Sequence, residues 1–118
     1  MNFLIAEDST PMRRMLRSLV ATSSDEVYEC ADGAEALAAY INFQFDWVLM
    51  DIAMPKMDGI AATRAIHAVD PQAQIIVVTN YDDAQLRVEA EEAGAAAYIL
   101  KDDLSRLRVV INKEQRAF

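Results

Sequence analysis

The stretch VLMDIAMPKMDG, residues 48–59, decides how this chain is read. Together with Trp47 its opening residues form a short apolar run that suits a strand buried on both faces. Such a strand ends where the sheet meets solvent, so Asp51 is placed at a rim. Pro55, Lys56 and Gly59 then belong to a loop.

Working outward, four more apolar runs of strand length appear: NFLIA (2–6), EVYECA (26–31), QIIVVT (74–79) and AAYIL (96–100). Each is followed by a helical pattern. The first helix is expected to take Thr10 as N-cap and Pro11 at its first helical position, with Met12, Met15, Leu16, Leu19 and Val20 on one stripe. The second follows Asp32-Gly33 and sets Ala34, Leu37, Ala38 and Ile41 on one face. A third opens at Asp58 or Gly59 and must end before Pro71. The fourth, from about Asp82 to Ala93, stops at Gly94 and has a thin apolar stripe, so it is the least firmly packed. The fifth uses Leu104, Leu107, Val110 and Ile111 and trails into a polar tail.

Five strands alternating with five helices predict a flavodoxin-like three-layer α/β sandwich with a parallel sheet in the order 2-1-3-4-5. No GxGxxG follows the first strand and no Walker loop occurs, which excludes the common dinucleotide and nucleoside triphosphate folds. At 118 residues the chain is one domain, 1–118, without repeats or linkers.

Composition narrows the function. Hydrophobic residues make up 53% and charged residues 25%, as in ordinary soluble proteins, and no apolar run reaches the roughly 20 residues of a membrane helix. The start, MNFLIAEDS, lacks the marks of a secretory signal, so the cytoplasm is the expected location. A net charge of −8 repels phosphate backbones and argues against direct nucleic-acid binding by this segment. Arg106, Arg108, Lys113 and Arg116 read as the solvated face of the last helix. Lone Cys30 is expected to be a buried small hydrophobe, and lone His67 a surface or structural residue.

In a sheet of this order, ligands bind beyond the carboxyl ends of the strands at the switch point between the first and third. Glu7 and Asp8 end strand one, Asp51 ends strand three, Thr79 and Asn80 end strand four, and Lys101 ends strand five. Carboxylates on strands about 5 Å apart repel one another unless a cation sits among them. Magnesium suits such a cup because it takes few carboxylates and shares its shell with phosphate oxygens, and there is no histidine or cysteine cluster for zinc. Beside that ion Asp51 could attack phosphorus, with Thr79 bonding a phosphoryl oxygen and Lys101 pairing with the carboxylate or the phosphate. Aspartate-nucleophile phosphatases commonly place an acid two residues on, where this chain has Ala53. A held phosphoryl group is therefore expected rather than rapid ester turnover.

These residues resemble the receiver domains of bacterial two-component response regulators over essentially the whole chain. The resemblance rests on Glu7-Asp8, ADGAEAL (31–37), DIAMPKMDG (51–59), Thr79 and GAAAYILKD (94–102). It implies that Asp51 accepts a phosphoryl group from a histidine kinase or phosphotransfer protein, and that Asp8, Asp51 and the Ala53 backbone carbonyl bind Mg²⁺, with Glu7 acting mainly through water. It implies a switch of Thr79, Tyr98 and Lys101, with Tyr98 turning inward and the face of the fourth helix, fifth strand and fifth helix changing its partners. That face can also pair two copies in a homodimer.

The chain departs from common family patterns in Glu7 where aspartate is frequent, in Asp102 where proline often follows the lysine, and in Asn80, which could narrow access to the site. The run AYILKDD is similar to receivers joined to C-terminal DNA-binding domains, so the chain is expected to be either a stand-alone receiver or part of a longer regulator. A receiver-like interaction module that never carries phosphate, and a small magnesium-dependent phosphohydrolase, are the rival readings.

Overall fold

The structure is a computed structural model that describes residues 1–116. Its elements are β1 (Asn2–Ala6), α1 (Thr10–Val20), β2 (Glu26–Cys30), α2 (Gly33–Asn42), β3 (Trp47–Met50), α3 (Gly59–Val69), β4 (Ile75–Thr79), α4 (Ala84–Ala93), β5 (Ala97–Leu100) and α5 (Arg106–Arg116). The strands form one parallel sheet in the order β2-β1-β3-β4-β5. This is the flavodoxin-like arrangement expected from the apolar runs.

The two-residue period of the strands sorts the core into layers. Phe3 and Ile5 of β1, Trp47 and Leu49 of β3, and Ile76 and Val78 of β4 pack against Leu16 and Val20 of α1 and Leu107 and Ile111 of α5. The alternate residues Leu4, Ala6, Val48, Met50 and Ile75 meet Ala36 and Ala39 of α2 and Ala62 and Ile66 of α3. A third, smaller cluster joins Val77 and Tyr98 to Ile60 and to Ala90 and Ala93 of α4. Every residue of β3 and β4 is buried, because both faces are covered.

Helix starts follow their capping chemistry. Ser9, not Thr10, caps α1: its Oγ accepts from Met12 N, and Thr10 is already inside the helix. Asp32, Asp58 and Asp83 cap α2, α3 and α4 in the same way. Gly94 ends α4 at φ 110°, and a Cβ there would lie 2.4 Å from the His67 ring.

Two helical faces differ from expectation. Met15 is half exposed, so the buried stripe of α1 narrows to Leu16 and Val20, with Met12 and Leu19 packed at its margins. In α2 the buried face is Gly33, Ala36 and Ala39, whereas Ala34, Ala38 and Ile41 point outward. The smallest side chains let the helix approach the sheet, and Leu37 and Tyr40 flank them. Arg106, Arg108 and Lys113 are exposed as expected, and Arg108 also donates to Leu19 O at 2.7 Å. The Arg116 side chain and the polar tail lie outside the described residues. Among the described residues no helix is long and apolar enough to cross a membrane.

Candidate functional site

The site is built by β1, β3, β4 and β5 ending at one level. Asp51 N donates to Ala6 O at 3.0 Å, and Lys101 N to Thr79 O at 2.8 Å, so the parallel pairing carries on one residue beyond the strands. The loop 51–59 is then pinned from two sides. Gly59 N donates to Ile52 O, and a Cβ on Gly59 would stand 1.7 Å from the Asp51 carbonyl oxygen. Gly33 N donates to Met57 O, where a Cβ would stand at 2.2 Å. The two Asp-Gly pairs of the sequence thus clamp the loop that carries Asp51.

Glu7, Asp8 and Asp51 each offer a carboxylate oxygen, and the three lie within 4.8 Å of one another. Glu7 and Asp51 are buried, whereas Asp8 is exposed at the mouth. Lys101 reaches across from β5: its Nζ is 3.3 Å from Asp51 Oδ2 and 2.6 Å from Glu7 Oε1. The other Asp51 oxygen accepts from Ile52 N at 2.8 Å, and Glu7 Oε2 accepts from Ser9 N at 3.0 Å. The ammonium bridge to Glu7 was not legible in the sequence, where Lys101 was paired with the Asp51 carboxylate or the phosphate.

Three carboxylates and one ammonium leave the cup net negative, and protons are held accordingly. Burial pushes the Glu7 carboxyl above its ordinary value against the pull of Lys101 and the Ser9 amide, and the Asp51 charge adds to the rise. For Lys101 burial works downward, but the bond to Glu7 and the charges of Asp51 and Glu7 win and raise it. The donor set suits a hard dication. Its atoms are all oxygens, and Glu7 Oε1 is buried without a hydrogen-bond donor of good geometry, 2.6 Å from the Lys101 ammonium. Magnesium fits these residues.

On the other side of Asp51, Thr79 is fully buried at the end of β4, and its Oγ1 accepts from Tyr81 N at 3.2 Å. The Tyr81 carbonyl in turn accepts from the Tyr98 hydroxyl at 2.6 Å. Tyr98 is therefore turned inward, 8% exposed, and the Arg87 guanidinium of α4 lies 4.5 Å from its ring centre. Burial raises the Tyr98 phenol while Arg87 pulls the other way. The sequence pointed to Thr79 and Tyr98 but not to the Tyr81 backbone between them, nor to Arg87, which no motif marks. Ala53 and Asn80 are both exposed beside the cup, and Asp102 follows Lys101 through a trans peptide. Cys30 is buried, and its thiol is pushed up to about 12 by burial, with Glu35 and Asp32 adding.

Comparison with known proteins agrees with this fold. The family model described as "Response regulator receiver domain" matches residues 3–112. The Bacillus subtilis protein described as "Uncharacterized transcriptional regulatory protein YhcZ" is 43% identical over 104 residues, which is 86% of this chain and 49% of that protein, so the chain spans about half of its length. The chemotaxis protein CheY of Thermotoga maritima is 38% identical over 112 residues, 93% of each chain. The solved CheX-CheY-BeF3-Mg+2 complex from Borrelia burgdorferi contains a chain that superposes with a TM-score of 0.85 at 30% identity, covering 100% of this chain and 90% of that one. The chain described here belongs to the response regulator receiver domain family of two-component systems.

Proposed function

We propose that this receiver, taken as the unit 1–118, is a phosphoacceptor that takes a phosphoryl group onto Asp51 from a phosphohistidine of a kinase or phosphotransfer protein. The observation that carries the reading is the cup itself: three carboxylates gathered within 4.8 Å, with Lys101 at 3.3 Å from the middle one. Asp8, Asp51 and the Ala53 backbone carbonyl would hold magnesium, with Glu7 contributing through water. The ion would supply charge neutralisation for the carboxylates and the phosphoryl oxygens.

The chain's own groups do the rest. One Asp51 oxygen attacks phosphorus, the P–N bond of the donor breaks, and the imidazole leaves with its electron pair. Lys101, anchored by Glu7, stays charged and balances the phosphoryl group. Thr79 can donate its hydroxyl proton to a phosphoryl oxygen while still accepting from Tyr81 N, so phosphate at Asp51 and inward Tyr98 reinforce each other through one backbone segment. Ala53 supplies no acid two residues on, consistent with a domain that catalyses only its own phosphorylation and dephosphorylation.

The output is the face of α4, β5 and α5, presented to a partner, to a second copy in a homodimer, or to a DNA-binding domain beyond this chain. The working compartment is the cytoplasm, where such kinases deliver phosphate. The test is exposure to acetyl phosphate with Mg²⁺. The intact protein should gain about 80 Da once per chain and Asp51→Asn should gain nothing. An unchanged wild-type mass would overturn the assignment, and sustained hydrolysis of phosphoesters would replace it with a phosphohydrolase.

A further inference from the structure

At the end of the sheet away from the cup, where β1, β2 and β3 begin, the surface is aromatic and acidic. Tyr28 on the outer strand β2 is 44% exposed and Phe43 just past α2 is 56% exposed. Their ring centres lie 5.6 Å apart, Tyr28 meets Phe45 edge-on at 6.2 Å, and Phe45 meets Tyr40 at 6.1 Å. Two hollows of about 450 and 290 Å³ open on this cluster and share Phe43 and Phe45 as a common wall. Contiguous exposed aromatic surface of this kind offers a partner an apolar contact.

Charge says what docks. Among the described residues, the charged side chains lining the two hollows are Glu26, Asp46 and Asp70, all acidic, with no lysine or arginine on either one. Asp46 is bonded by the Asn2 amide at 2.7 Å, and Asp70 by the Tyr40 hydroxyl at 2.6 Å and the Gln72 amide at 3.0 Å. These neutral donors orient the carboxylates without cancelling their charge. The Met1 ammonium nearby is paired with Asp25 at 2.8 Å and is raised above its ordinary pKa by that bond, with Asp46 and Glu26 adding to the effect. Ring faces and carboxylates attract the same kind of ligand, a cation carried on an apolar stem.

We infer that the Tyr28-Phe43-Phe45 groove is a second docking surface, distinct from the output face, for a partner segment that carries arginine or lysine around a bulky apolar anchor. The anchor packs against the Phe43 and Phe45 wall between the hollows, and the guanidinium or ammonium groups reach Asp46, Glu26 and Asp70. The site stands at the opposite end of the strands from Asp51, so the partner can be bound whether or not the cup is phosphorylated.

The probe is a synthetic amphipathic peptide with arginines flanking one tryptophan, titrated into the full chain and followed by amide NMR. Saturating shifts are expected at Tyr28, Phe43 and Phe45, and the matched peptide with glutamate in place of arginine should not bind. Tyr28→Ala with Phe43→Ala keeps the net charge and should weaken binding about tenfold. Asp46→Asn, which keeps an acceptor for the Asn2 amide, should weaken it about threefold. Equal affinity of the double variant, or shifts centred elsewhere, would reduce the binding to general attraction to a −8 protein and overturn the inference. Self-association of the wild type that the double variant abolishes would also overturn it, by making a second copy the occupant.

Discussion

At the scale of single residues, the cup is a compromise between stability and charge. Glu7 is buried beside another carboxylate, and its raised pKa means the folded chain holds its proton more tightly than the unfolded chain does. In the absence of metal, that contribution to stability is fully present below the unfolded value of 4.5 and is lost as pH rises through the raised folded value. Glu7→Gln should therefore flatten the pH dependence and stabilise the metal-free protein near neutrality by about 1 kcal/mol, measured by urea unfolding in chelator. Unfolding curves that move the other way would mean the Lys101 pair outweighs the burial of Glu7. Gly59 sits at the opposite extreme, with no charge and no room. Gly59→Ala should cost about 1–3 kcal/mol of stability and slow phosphorylation by displacing the Asp51 carbonyl; an unaltered phosphorylation rate would show that the loop gives way without moving Asp51.

At the scale of elements, the strand ends were legible and the helix faces less so. WVLM stands out because a doubly covered strand has no polar residue to blur it, and its bounds match the structure residue for residue. The helix GAEALAAYIN is apolar nearly all round, so its periodicity has little contrast, and the sheet selects Ala36 and Ala39 by size rather than by hydrophobicity. Thr10 and Ser9 are both capping hydroxyls side by side, and only the path of the loop from Glu7 chooses between them. Thr79 was readable from its place at the end of a strand, and Tyr98 only through the family resemblance. Arg87 was not, since its contact with the Tyr98 ring depends on how α4 lies across β5. In the switch proposed for Thr79 and Tyr98, that contact would bring in α4. Arg87→Ala should remove about 0.5–1 kcal/mol that holds Tyr98 inward, shifting its rotamer population by two- to fivefold, with Arg87→Lys recovering part of the effect. Fluorotyrosine NMR at Tyr98 reads this directly, and an unmoved signal would leave the Tyr81 carbonyl as the sole anchor.

For the whole molecule, the sheet order decided where to look, and the three-layer packing decides what can move. α4 contributes only Ala90 and Ala93 as fully buried residues, whereas α1 and α5 supply Leu16, Val20, Leu107 and Ile111 to the opposite layer. If Asp51 takes up charge as proposed, the α4 side should be the easier to shift. The −8 charge and the acidic cup were legible at once, but the second gathering of carboxylates, at the far groove by the opposite ends of the strands, was not. Magnesium binding to the folded chain alone should raise stability by about 1.4 kcal/mol at ten times its dissociation constant, and chelation should reverse the gain. A melting temperature indifferent to magnesium in the wild type, or equally responsive in Asp8→Asn, would remove the ion from the cup.

Asp51, and no other carboxylate of the cup, is proposed to carry the phosphoryl group. Reduction of the phosphorylated protein with borohydride converts an aspartyl phosphate to homoserine, and tandem mass spectrometry then locates it. Homoserine at position 51, formed only when magnesium was present, is the predicted result. Homoserine at position 8, or none at all after a confirmed gain in mass, would contradict it.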